Sequence, residues 1–224
     1  MTRKKITERL TNFGLRRSFG ALCLALATAG ILFFAYEQLW TNHVADKAAQ
    51  STAQQIKNEW QTPSSQKVPR IGQGFALLYI PALREDVWEL PILHGTEPEQ
   101  LDVGAGHYVN TRLPGAVGNF ALAGHRSTHG EPFANFDRLR AGDRVIVQTR
   151  DNWFIYELDF DAQVSPDDAW VLDVNPGGMA NKVGTDKLIT LTTCTPRYGS
   201  SGRWIWWGHL VTSASIKDVP RDIQ

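Results

Sequence analysis

The sequence predicts a mostly β protein, a closed or nearly closed barrel of about eight strands, preceded by an apolar helix at the N-terminus. Three observations carry this. From Phe19 to Tyr36 there are 18 consecutive residues without a charge, at the lower edge of what a helix needs to cross a bilayer. From Phe75 onward, short apolar or alternating runs are separated by Gly, Asn, Asp and Pro turns. Eight such runs fill about 140 residues, a density that suits a barrel, because closure removes exposed sheet edges.

Taken in chain order, the first segment is basic. Arg3, Lys4, Lys5, Arg9, Arg16 and Arg17 precede Phe19, with Glu8 the only acid among them. The positive-inside rule then places residues 1–18 in the cytoplasm, a single-pass anchor at 19–40, and the rest of the chain outside the cell. The alternative is a cleaved signal peptide, with Ala25-Leu26-Ala27 or Ala27-Thr28-Ala29 as the cleavage site. Ile31 to Phe34 prolongs the apolar run past both sites, which favours an uncleaved anchor. Residues 41–70 read as a juxtamembrane helix rich in Ala, Gln and Lys as far as Trp60, followed by a linker.

The barrel is expected at residues 71–216, with a short tail at 217–224. Its strands are expected at Phe75 to Ile80, Val87 to Leu93, Asn119 to Ala123, Arg144 to Thr149, Trp153 to Phe160, Trp170 to Val174, Lys187 to Thr193 and Arg203 to Thr212. Gly142-Asp143, Asp151-Asn152, Asn175-Pro176-Gly177-Gly178 and Gly199-Ser200-Ser201-Gly202 supply turns. Composition, with 42% hydrophobic residues and only two cysteines, excludes bulk disorder, collagen and a disulfide-knit miniprotein. The 23 basic and 23 acidic residues balance overall, but without the N-terminal block the remainder has 17 basic against 22 acidic. No basic face is concentrated there, which argues against a nucleic-acid partner.

Cys23 lies in the apolar segment, so Cys194 has no partner for a disulfide within the exported part. A buried core thiol is the plain alternative to a reactive one. In Lys187 to Cys194, alternation puts Leu188, Thr190, Thr192 and Cys194 on one face, with Cys194 where the strand ends. If the next strand returns as a hairpin, Arg203 closes near Cys194, where a guanidinium can hold a carbonyl and stabilise charge developing on its oxygen. Of the six histidines, His125 is the best acid/base candidate, because Phe120 to Ala123 is an apolar strand that runs into Gly124-His125-Arg126. His125 and His129 have the spacing of a helical metal pair, but glycines bracket them and no carboxylate stands out as a third ligand, so no metal is assigned.

These residues resemble the sortases, membrane-anchored cysteine transpeptidases of Gram-positive bacteria. The resemblance runs over nearly all of residues 75–212, through Tyr79-Ile80-Pro81, Pro91 to Thr96, Gly106-His107-Tyr108, Thr111, Pro114-Gly115, Gly118-Asn119, Ala123-Gly124-His125-Arg126, Gly142-Asp143, Leu191 to Cys194, and Arg203. The run Thr193 to Pro196, His129 after Arg126, and the step from Cys194 to Arg203 look most like class E. Trp204, Ile205, Trp206 and Trp207 depart from the smaller aliphatics common after the arginine, and read as wall and core residues.

The resemblance implies a sortase-type barrel with short helices. Cys194 is implied as the nucleophile, His125 as the general acid/base and Arg203 as the substrate and oxyanion contact, while Thr192, Thr193, Arg126 and His129 are candidate substrate contacts. It implies cleavage of a Leu-Ala/Pro-x-Thr-Gly sorting signal between Thr and Gly through a thioacyl intermediate, and transfer to an amine of a peptidoglycan precursor such as lipid II. The partners would be secreted proteins bearing the signal, and no cofactor is implied. Two other classes stay open on the residues alone: a cysteine peptidase with water as acceptor, and a membrane-tethered barrel that binds glycan or peptide without catalysis.

Overall fold

The computed structural model describes residues 3–62, 68–183 and 185–223. The chain divides into residues 1–40 and residues 41–224. The first unit is helix α1 (Arg3–Ala35) followed by a π-helical turn at Tyr36–Trp40. Within it, Ser18–Ala35 is long and apolar enough to cross a membrane, since 18 residues span about 27 Å as a helix. Leu24 and Phe33, on opposite sides of this helix, are both exposed, so it is apolar all round rather than amphipathic.

The second unit begins with α2 (Thr41–Trp60), where the sequence predicts a helix. The linker expected after it falls partly on residues 63–67, outside the described residues. Eight strands follow: β1 (Gly74–Tyr79), β2 (Leu90–His94), β3 (Ala105–His107), β4 (Gly118–Ala123), β5 (Arg144–Gln148), β6 (Asn152–Val164), β7 (Lys187–Thr195) and β8 (Gly202–Ser215). They close into a barrel in the order β1-β2-β3-β4-β7-β8-β6-β5. The β2/β3 and β4/β7 pairs are parallel and the rest antiparallel. Two short helices, α3 (Pro98–Leu101) and α4 (Met179–Val183), lie in the connections.

The strand pattern differs from expectation in two places. Trp170 to Val174 is not a strand: Ala169–Leu172 forms a 3-10 turn. Its apolar residues serve a lid instead, since Val171 and Leu172 pack with Met179 over Leu188, Ile205 and Trp207. The strand that replaces it in the barrel is β3, only three residues long and centred on Gly106, too short to show a period of two.

Alternation along each strand sorts side chains cleanly. Leu78, Ile92, Phe120, Leu122, Val147, Tyr156, Ile189, Leu191 and Trp206 fill the barrel. Leu188, Ile205 and Trp207 face outward beneath the 3-10 turn and α4. A second outer patch, Leu77, Tyr79, Ile146, Trp153 and Ile155, is covered by Ala53 and Ile56 of α2. Gly74 permits that approach, since a Cβ there would come 2.6 Å from Ile56 Cδ1. Beyond these coverings, Cys194 and Arg203 at the facing ends of β7 and β8 are partly exposed.

Candidate active site

Register builds the site. In the β7/β8 hairpin, Cys194 lies directly opposite Arg203, so both project from the same face about 5 Å apart at Cβ. That face is the outer one, because the inward positions of these strands belong to Leu191, Trp204 and Trp206. On the other flank, β4 runs parallel to β7 with Ala123 matched to Thr192. The pairing continues past the strand end, as Gly124 N–H donates to Thr192 O at 3.1 Å and Thr193 Oγ1 to Gly124 O at 2.8 Å. Two residues further along each chain, His125 and Cys194 fall level. His125, Cys194 and Arg203 thus form one row across three strand ends, and all three are partly exposed.

Each flank is fixed locally. Arg203 Nη1 donates to Ser200 O and Gly202 O, both at 3.0 Å, tying the guanidinium to its own loop. His125 Nε2 meets Asp102 Oδ1 at 3.3 Å. Burial pulls the His125 imidazole below its usual range, and the Asp102 hydrogen bond and charge partly offset this. Thr192 shares the outer face, where its hydroxyl donates to Leu122 O at 3.2 Å and meets Tyr108 Oη at 3.0 Å.

The other candidate contacts fall elsewhere. Thr193 and Arg126 point to the opposite face from the row. Thr193 is spent on Gly124 O, while Arg126 lies over the Trp204 ring at 4.8 Å and reaches Thr195 Oγ1 at 3.4 Å. Their placement stitches the His125 segment to the end of β7. His129 stays on the site side, its ring 5.6 Å from that of His125.

His129 sits in a strained loop. Thr128, His129, Gly130 and Glu131 all have left-handed backbone, with φ of 59°, 51°, 80° and 34°. For the three residues with side chains this costs about 1–2 kcal/mol each, and a β-branched threonine is the least tolerant. Such a run persists only where surrounding contacts hold it. Here they come from α2 and the β7–β8 loop. Asn42 Nδ2 donates to Glu131 Oε1 at 2.9 Å, Asn42 Oδ1 accepts from Gly130 N–H at 3.0 Å, and Arg197 Nη2 donates to Glu131 Oε2 at 2.9 Å.

Asp102 corrects the expectation that no carboxylate approaches the histidine pair. Asp102, His125 and His129 each offer one donor atom, all within 4.8 Å of one another. Within this group Asp102 Oδ1 and His125 Nε2 lie 3.3 Å apart, about the spacing of neighbouring ligand atoms in a tetrahedral zinc site. The sequence carries no signal for Asp102, since it reaches His125 only through the path of α3 into β3.

The remaining histidines are occupied elsewhere. His209 pairs with Asp159 at 2.9 Å, and lies opposite Leu188, about 20 Å along β7 from Cys194. His94 Nδ1 and His107 Nδ1 meet at 2.9 Å in a buried pair. His43 lies in α2.

Comparison with known proteins agrees with this barrel. The chain shares its fold with sortase E from Streptomyces avermitilis (TM-score 0.61, 39% identity, 69% of this chain and 99% of that one). Sortase E1 from Streptomyces coelicolor with a tripeptide in the active site is equally similar (TM-score 0.62, 39% identity, 70% of this chain and 100% of that one). In sequence, residues 78–211 match the sortase domain family. Sortase SrtE1 of Streptomyces coelicolor is 40% identical over 207 residues, 87% of this chain, and sortase SrtE2 of that organism is 35% identical over 213 residues, 85% of this chain. The chain spans 57% of the length of SrtE1 and 81% of SrtE2. It belongs to the sortase family, whose members are cysteine transpeptidases and are generally membrane-associated.

Proposed function

We propose that this sortase cleaves a Leu-Ala/Pro-x-Thr-Gly sorting signal between Thr and Gly and transfers the threonyl carbonyl to a cell-wall amine. The observation that carries the reading is the single row of His125, Cys194 and Arg203, all partly exposed, on the outer face of the barrel. The Cys194 thiolate attacks the Thr carbonyl, forming a C–S bond, and the C–N bond to Gly breaks as the His125 imidazolium gives its proton to the departing amine. An incoming amine then attacks the thioester and passes a proton to His125, which restores imidazolium and thiolate.

Arg203 faces the carbonyl oxygen as charge develops on it. Its Nη1 is already engaged with loop carbonyls, so this contact falls to Nη2 and Nε. Asp102 holds the His125 ring and favours its protonated form against the pull of burial. Thr192 and His129 lie on the substrate side, whereas Thr193 and Arg126 act by joining the His125 segment to β7.

Several observations support the finer assignments. The relatives named sortase E favour class E and, with it, a Leu-Ala-x-Thr-Gly signal. The tripeptide in the active site of the Streptomyces coelicolor protein favours a peptide substrate. The apolar helix at Ser18–Ala35 with a basic block before it favours a single-pass anchor, N-terminus inside and barrel outside. The acceptor is then the amine of a precursor such as lipid II at the outer leaflet, where tethering of both partners raises their effective concentration. The reading is tested with the full chain in detergent, Leu-Ala-x-Thr-Gly and Leu-Pro-x-Thr-Gly peptides, and triglycine. A Thr–triglycine product that requires Cys194 and His125 supports transfer, whereas release of the free acid alone points to a peptidase.

A further inference from the structure

We propose that Asn42 of α2 and Glu131 are positioning residues: the first turn of α2 holds the left-handed loop 128–131, and through it His125, in register with Cys194. The proposal rests on the function above for its catalytic consequence, but its structural content stands apart from it.

Four successive left-handed residues do not hold themselves, and the loop lies between His125 and Phe133, whose N–H donates back to His125 O at 2.9 Å. Any relaxation at 128–131 is therefore transmitted to the His125 backbone. Asn42 grips the loop twice, with its carbonyl oxygen on Gly130 N–H and its amide on Glu131 Oε1. The other oxygen of Glu131 takes Arg197 Nη2, from the loop that joins Cys194 to Arg203. One carboxylate thus connects α2, the histidine loop and the cysteine–arginine loop.

Close packing reinforces the grip. A Cβ on Gly130 would come 3.2 Å from Ala45 Cβ, so the loop lies directly on α2. Ala45 is itself buried, as are Ala53 and Ile56 further along the same helix face. At its far end α2 is held by Arg150 Nη2, which donates to Glu59 O at 2.9 Å. The helix is thus fixed along its whole length of about 30 Å. Asn42 lies well before residues 78–211, the part that matches the sortase domain.

The test uses the full chain in detergent micelles, comparing wild type with Asn42→Ala, Glu131→Gln and the double variant. Amide hydrogen exchange over residues 126–133 is read by mass spectrometry, together with kcat and KM for the Leu-Ala-x-Thr-Gly peptide and the melting temperature. We expect faster exchange at 128–131 in each variant, with β7 protection and melting temperature kept. We also expect kcat to fall roughly tenfold while KM stays within about twofold, as for a misplaced catalytic group. The two substitutions should be non-additive in kcat, because both break the same connection.

Unchanged exchange at 128–131 in Asn42→Ala overturns the proposal, as does a loss of kcat that merely follows a lowered melting temperature in both single variants. The exchange measurement needs no substrate. If wild type fails to turn over either peptide, the assigned function fails, while faster loop exchange still supports the grip of α2.

Discussion

The buried His94–His107 pair makes the stability of this barrel depend on pH, by an amount the structure sets. His107 Nε2 faces Arg112 O at 3.0 Å, an atom that only accepts, so Nε2 carries the hydrogen and Nδ1 is the lone pair. That lone pair accepts from His94 Nδ1–H at 2.9 Å. A second proton on His107 would set two N–H groups head to head in a fully buried site. Burial, opposed by the Arg112 hydrogen bond and aided by His94, accordingly pulls His107 down to about 4. Against about 6.5 in the unfolded chain, this is worth about 3 kcal/mol.

Because the folded value is the lower one, the unfolded chain takes up the extra proton. The contribution is whole above about pH 6.5 and is lost as pH falls toward 4. The assay is urea unfolding at pH 7.5 and pH 4, for wild type and His107→Gln, which stays neutral. Other titrating groups largely cancel between the two proteins, so wild type should lose about 3 kcal/mol more than the variant over this interval. Equal losses would refute the argument. Activity should fall with stability at the acid end, since Tyr108 follows His107 directly and its hydroxyl contacts Thr192 beside Cys194.

Other predictions concern the site and its supports. Gly124→Ala should destabilise by about 1–3 kcal/mol by chemical unfolding and lower kcat, because its Cβ would come 2.7 Å from the Phe133 ring beneath His125; a variant of wild-type stability and rate would contradict that crowding. Ile56→Ala should cost about 2–4 kcal/mol, since Ile56 is only 2% exposed between α2 and the barrel; a neutral result by the same measurement would mean that α2 is not packed there. In Asp102→Asn the ring protons of His125, followed by NMR, should titrate at lower pH than in wild type, as the partner that raises its value is removed; a shift upward would show that Asp102 does not act on the ring.

Much of the fold was legible because it rests on local pattern. The alternation from Leu188 to Cys194 puts these side chains on one face without saying which, and the hairpin that the sequence allows between Cys194 and Arg203 is present, with the two residues directly opposite. The apolar run Phe120 to Ala123 that leads into His125 is part of β4. What escaped the sequence depends on long-range placement. Ala105 to His107 is a strand only because β2 and β4 flank it, and Trp170 to Val174 reads as a strand but its first residues form a 3-10 turn that covers Trp207. Asp102 and His125 are 23 residues apart with no shared pattern. Asn42 and Glu131, 89 residues apart, meet only because α2 lies along the barrel. Because of that packing, a segment without α2 would lose Asn42 and Ile56, so the full chain is the proper subject of each experiment.

The proposed transfer requires Cys194 to carry the acyl group. The most direct measurement is intact-protein mass spectrometry of the full chain incubated with a Leu-Ala-x-Thr-Gly peptide, first without an amine and then with triglycine. A thioacyl enzyme gives a mass increase equal to the peptide acyl fragment ending at Thr, mapped to Cys194, discharged by triglycine as a Thr–triglycine product and absent in Cys194→Ala. Product formation by the Cys194→Ala chain at the wild-type rate would contradict it.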